Sequence, residues 1–150
     1  MEKNIFNENT AKAIAIRVQA LKPDSKARWG SMNSAEMLFH LNLCNAEIFE
    51  SAPSAEKTTV KQYLLRILAL YVAPDFKKNI QGDPGKDTKG KIGPSCFQEQ
   101  KARCIALIRR FPSHYGDIQI SHIAFGNLSK KQWGVAIFKH VDHHLRQFGV

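Results

Sequence analysis

Prolines and helix-capping side chains cut this sequence into five stretches of helical periodicity, and that punctuation limits the fold more than any other feature. The first stretch runs from about Asn7 to Leu21, with Ile14, Val18 and Leu21 at helical spacing and Pro23 just beyond. The second follows "RWGSM": Asn33 can cap, Glu36 stands three residues later as in a capping box, and the apolar pattern continues to Phe49 before Pro53. A third spans about Ala55 to Val72, opened by Ser54 and closed by Pro74. A fourth opens at Ser95 with Gln98 as capping-box partner and runs to about Phe111 before Pro112. The fifth starts after Ser129, with Gln132 again at capping-box spacing. Strand-like alternation is scarce, so the expectation is an all-α antiparallel four-helix bundle, with the third helix as an accessory outside it.

A chain of 150 residues fits one domain, taken as residues 1–150, and is long enough to bury a core without disulfides or a structural metal. Cys44, Cys96 and Cys104 form no C-x-x-C pair and are odd in number, which fits a reducing cytoplasm better than an oxidising compartment. The N-terminus "MEKNIFNENTAKAI" lacks the apolar core of a signal peptide. "YLLRILALYVA" is too short for a membrane span and is interrupted by Arg66. The expectation is a soluble cytoplasmic protein with no membrane partner.

Charge raises the question of an anionic partner, because 22 Lys and Arg against 13 Asp and Glu give a formal +9. Lys77, Lys78, Lys86, Lys89 and Lys91 crowd a Gly- and Pro-rich loop over residues 74–94. A solvated lysine loop accounts for them, with a phosphate-binding surface as the alternative. Elsewhere the basic residues are scattered, and Trp133 and Phe148 fall on an apolar stripe, so the interleaved aromatics of a nucleic-acid groove are missing.

Half of the six histidines lie within "HVDHH" near the end of the last helix. At about 100° per residue, His140 and His144 point about 40° apart, and His143 stands about 60° to the other side of His140. Trp133, Ile137, Val141, Leu145 and Phe148 form the apolar sector; His144 falls inside it and His140 at its edge, whereas His143 groups with polar residues as a rim position. On the second helix His40 also borders an apolar sector, one turn before Cys44. Facing helices of a bundle build metal sites from such inward side chains, which makes His40, His140 and His144 a candidate ligand set. Each taken alone also fits a hydrogen-bonded boundary histidine. Cys44 is a candidate fourth ligand or a small packing residue. Glu36 and Glu47 stand near the His40 side, orienting an imidazole, serving as a base, or solvated at the helix edge. His114 and His122 flank the irregular "SHYGDIQISH" and read as loop residues, with His122 near a pocket mouth. P-loop, G-x-G-x-x-G, G-x-S-x-G and H-E-x-x-H patterns are absent.

The segments "RWGSMNSAEMLFHL", "SHIAFGNLSKKQWG" and "KHVDHHLRQFG" together resemble the DinB-like (damage-inducible B) superfamily, and more closely a bacterial branch known as a domain of unknown function. The likeness covers nearly the whole chain, least over residues 52–95. It implies a four-helix bundle, often dimeric, in which one histidine of the second helix and an H-x-x-x-H pair of the last bind a divalent cation. Those positions correspond to His40, His140 and His144. The ending "HHLRQFG" departs from the H-H-R-G-Q form of the wider superfamily, with Gln147 standing in for its glutamine. The relatives include thiol-dependent transferases and isomerases.

Three neutral imidazoles holding Zn²⁺ or Ni²⁺ with an open position would lower the pKa of a bound water to about 7 or deprotonate a thiol. Metal-assisted hydrolysis and thiol transfer to a small-molecule substrate are therefore the expected chemistries, with Arg146 and the lysine loop favouring an anionic one. The competing readings are a non-enzymatic bundle binding an anionic partner or nucleic acid through its basic surface, and a dimeric metal-binding protein without turnover.

Overall fold

The computed structural model describes residues 3–54 and 56–150. Local signals account for most of its elements. Helix α1 (Glu8–Ala20) is capped by Asn7, whose side chain accepts from the Thr10 N–H at 3.1 Å. It buries Ala11, Ile14, Ala15 and Val18, the stripe expected at 3.6 residues per turn. Helix α2 (Ser34–Glu50) opens on a full capping box: Asn33 Oδ1 takes the Glu36 N–H at 2.9 Å, and Glu36 Oε2 takes the Asn33 N–H at 2.8 Å. Helix α5 (Lys130–Gln147) opens on the Ser129–Gln132 box.

Two helix starts differ from the sequence reading. Helix α3 (Val60–Ile67) is capped by Thr59 with Gln62, not by Ser54; residues 56–59 precede it without helix, and Ala55 lies outside the described residues. It continues as a π-helical turn, Leu68–Val72. Helix α4 (Phe97–Arg110) has no side-chain cap, because Pro94–Cys96 winds a 3-10 turn that feeds directly into it and leaves no Ser95–Gln98 box. The connector before α5 holds two short antiparallel strands, β1 (Ser121–His122) and β2 (Gly126–Asn127), pairing Ser121 with Asn127 and His122 with Gly126. The described residues thus form a mostly helical protein of five α-helices and a small two-stranded sheet. No helix among them is long and apolar enough to cross a membrane.

Helix α4 packs along α1 and α2, and α5 touches both as well, so the core lies among these four. Val18, Leu38, Leu41, Phe97, Ile108 and Leu145 are fully buried in it. Each such side chain contributes about 1.5–3 kcal/mol on removal from water, and truncating Leu41 to alanine is expected to cost about 2–5 kcal/mol. Polar ties set the geometry: Asn42 Nδ2 donates to the Gln100 carbonyl and to its Oε1, both at 2.9 Å, and Arg17 meets Asp142 at 2.6 Å. The N-terminal segment crosses α5 at Gly134, where the Asn4 carboxamide occupies the space a Cβ would need. These contacts tie α2 to α4 and α5 to α1 and the N-terminal segment, and so hold in one packed body the two helices that carry His40, His140 and His144.

Candidate metal centre

His40 and Cys44 are one turn apart on α2, and His140 and His144 one turn apart on α5, so each helix offers its pair on one face. Across the helix interface, the His40 and His140 Nε2 atoms are 3.1 Å apart. Ring centroids lie 5.1 Å apart for His40–His140, 4.9 Å for His40–His144 and 4.8 Å for His140–His144. The Cys44 Sγ stands 3.9 Å from His40 Nε2. Ligand atoms of His40, Cys44 and His140 all fall within 4.8 Å of one another, a group able to hold a metal ion. Tetrahedral zinc with ordinary Zn–N and Zn–S bonds separates its ligand atoms by about 3.3–3.7 Å, so the spacing needs only small side-chain movements.

Hydrogen bonds around the rings set their tautomers. The Lys86 carbonyl, 2.8 Å from His40 Nδ1, can only accept, so that nitrogen carries the proton and Nε2 presents a lone pair. Gln147 Nε2 donates to the Trp29 carbonyl at 2.7 Å, which fixes the amide orientation and turns its Oε1 to His144 Nδ1 at 2.8 Å. His144 is therefore also protonated on Nδ1 and bare on Nε2. The short His40–His140 contact then calls for a proton on His140 or a cation shared by both rings.

Burial keeps these imidazoles neutral. It pushes the His140 pKa far down, helped by the neighbouring His144 and His40; it lowers that of His40; and it takes His144 to about 3, helped by His40. Neutral imidazole is the form that ligates a metal. Burial also drives the Cys44 thiol up to about 12, so it stays protonated at neutral pH unless a cation is beside it.

The surroundings differ from several sequence expectations. Neither Glu36 nor Glu47 touches an imidazole. Glu36 is buried and accepts the Gly90 N–H at 2.7 Å, while Glu47 pairs with Lys86 Nζ at 2.7 Å. Both hold the 74–94 loop, whose Lys86 carbonyl is the partner of His40; a backbone group leaves no mark in a sequence. Arg146 is engaged by Asp75 at 2.5 Å and Asp142 at 3.0 Å. His143 packs edge-on to Trp29 at 5.5 Å between centroids and remains at the rim of the cluster. His122 belongs to β1 and stacks on Phe125 at 4.4 Å, and His114 packs beside Phe6 and Phe49. Cys44, weighed in the sequence as ligand or filler, has its sulfur within the ligand group. Two surface hollows, one beside Pro53 and Ile120 and one beside Pro74 and Phe138, include none of these ligand residues.

No curated protein and no solved structure matches the chain. A family match does cover residues 4–149, which include both helices of the centre and the loop that braces it. The protein is thus a member of the family described as "Protein of unknown function (DUF1569)".

Proposed function

We propose that the chain is a single domain, residues 1–150, with a DinB-like four-helix bundle of α1, α2, α4 and α5, and that it binds one divalent cation, Zn²⁺ or Ni²⁺, through His40, His140 and His144 with Cys44 beside them. The observation that carries this reading is the 3.1 Å approach of two Nε2 atoms from helices a hundred residues apart, with the His40 lone pair fixed by the Lys86 carbonyl. Two electron-rich nitrogens held face to face away from water are unfavourable unless a proton or cation lies between them. Burial disfavours an imidazolium here, so the contact is bridged either by the proton of a neutral Nε2–H tautomer of His140 or by a cation, and metal content decides between the two.

The bound cation supplies a Lewis acid suited to hydrolysis through water or to transfer of a low-molecular-weight thiol. The chain's own contribution is positional. Lys86 and Gln147 hold the His40 and His144 rings in the ligating tautomer, as the outer partners of metal-binding histidines generally do. The low-dielectric surroundings keep all three rings uncharged, and they keep the Cys44 thiol protonated until a cation beside it draws the proton off.

The test is metal content of protein purified without a nickel column, beside His40→Ala and His140→Ala variants checked for native helicity. About one equivalent in the wild type and none in the variants is expected. Equal content in all three would remove the site.

A further inference from the structure

The β1–β2 hairpin holds one histidine that the metal centre does not use. His122 pairs with Gly126, its carbonyl takes the Phe125 N–H at 3.2 Å, and its Nδ1 takes the Ala124 N–H at 3.1 Å. A neutral imidazole that accepts on Nδ1 carries its proton on Nε2, so the ring presents a fixed N–H donor. That donor has no acceptor among the described residues. The ring packs against two buried aromatic side chains, stacked on Phe125 at 4.4 Å and 5.4 Å from Trp133 between centroids. Trp133 is only 6 % exposed, and its indole N–H also lacks a partner. Two donors of one ring cluster thus go without an acceptor from the chain, and a buried donor left unpaired costs about 1–3 kcal/mol. Native proteins usually satisfy such groups with an ordered water or a ligand.

The ring cluster borders the metal centre. Trp133 precedes His140 on α5 by about two turns, and so stands on the same side of the helix, about 10 Å away along its axis. After burial, the charges of His144, His40, His122 and His143 lower the His140 pKa, so His122 stands within electrostatic reach of that ring. His40, Cys44 and His140 are each partly exposed, which leaves the centre accessible from outside. We propose that His122 anchors a ligand of this centre: a small molecule whose metal-binding end meets the cation and whose carboxylate accepts the His122 Nε2–H. The inference rests on the reading of His40, His140 and His144 as a metal site, and adds what that site selects. A carboxylate suits the donor because hydrogen bonds to an ionised oxygen are about twice as strong as those between neutral groups. The formal charge of +9 also draws anions toward the protein. The distance along α5 between Trp133 and His140 requires a short carbon chain between the two ends of the ligand.

The test uses the full chain loaded with cobalt, whose visible absorption reports added ligands, and compares succinate with acetate, which has no second carboxylate. The wild type is expected to bind succinate about tenfold more tightly than acetate or better, the effect of one charge-assisted hydrogen bond. His122→Phe keeps a ring on Phe125 but removes the donor, so that advantage should disappear while acetate and cobalt affinities hold. His122→Gln, which carries an amide N–H in place of the lost Nε2–H, should recover most of it. In the zinc-loaded wild type, NMR of isotope-labelled histidine should show the His122 Nε2–H signal moving with succinate and not with acetate, a readout that needs no variant to fold. Equal succinate affinity in wild type and His122→Phe, or an unmoved His122 signal, would mean that water alone takes the donor and would overturn the proposal. A chain that takes up no cobalt removes the metal centre and the anchor together, whereas cobalt uptake with unaltered succinate binding in His122→Phe removes the anchor only.

Discussion

The carbonyl oxygen of Lys86 accepts a hydrogen bond from His40 Nδ1 at 2.8 Å, while the Nζ of the same residue reaches Glu47 at 2.7 Å, two turns further along α2. One loop residue thus grips the helix at two points and determines which nitrogen of a candidate ligand carries its proton. Thr88 extends the grip by donating to the Glu36 carbonyl at 2.7 Å, and the Gly90 N–H adds the Glu36 carboxylate. What composition reads as a solvated lysine loop is a strap laid along the His40 face of α2.

Glu36 has two tasks, closing the α2 capping box and holding Gly90, so Glu36→Ala is expected to cost more than loss of an ordinary cap, about 2–3 kcal/mol. Urea unfolding monitored by circular dichroism measures it. A cost under about 0.5 kcal/mol would mean that the strap contributes nothing to the fold. Glu47→Gln, which removes a partly exposed ion pair, should cost no more than about 1 kcal/mol.

Gln147 is expected to tune the centre without ligating it. Gln147→Leu keeps the side-chain bulk but removes the acceptor of His144 Nδ1–H and the donor to Trp29. Zinc affinity should fall about 10–100-fold, the usual effect of losing an outer partner of a metal-bound histidine. A competition titration with a chromophoric chelator reads this directly, and unchanged affinity would leave His144 without a role at the metal.

Cobalt substitution should reveal whether Cys44 belongs to the ligand set. Its sulfur lies 3.9 Å from His40 Nε2, and a cation at that place would deprotonate a thiol that burial otherwise holds near 12. The expected signature is a near-ultraviolet sulfur-to-cobalt charge-transfer band, with one proton released per metal, both lost in Cys44→Ser. Binding of cobalt without that band would assign the centre to imidazoles alone.

Local features were legible in the sequence. The Asn33–Glu36 and Ser129–Gln132 boxes span three residues, and His140 and His144 share a helix face through the backbone's own period. Ser95 and Gln98 carry the same spacing without forming the box, because Pro94 starts a 3-10 turn there, whereas Thr59 and Gln62 do form one inside the accessory segment. That His40 sits on a core boundary followed from α2 alone; the side of α5 it meets depends on packing. The bracing of His40 by Lys86 was hidden, since it uses a carbonyl that every residue possesses. Cys44 was visible by its spacing, but the choice between filler and donor needed the 3.9 Å separation.

Acid should destabilise the metal-free protein well before its carboxylates titrate. Burial depresses the pKa of His122 to about 4 and of His144 to about 3, against about 6.5 in an unfolded chain. Between those limits the unfolded state binds protons that the folded state refuses, so this stability is complete above about pH 6.5 and is lost as pH falls toward 4. Each such histidine contributes a slope of about 1.4 kcal/mol per pH unit. His122 is the cleaner probe: its ring stacks on Phe125 and lies 5.4 Å from Trp133, and its Nδ1 accepts the Ala124 N–H at 3.1 Å, an arrangement that needs the neutral form. In His122→Gln the slope of unfolding free energy against pH, measured in chelator from pH 7 to 5, should fall by about 1 kcal/mol per pH unit whatever the offset in absolute stability, less than the full slope because the unfolded imidazole is only partly protonated near pH 7. A slope equal to that of the wild type would show that His122 titrates alike in the folded and unfolded chains, and that its stacked position does not exclude the charged ring.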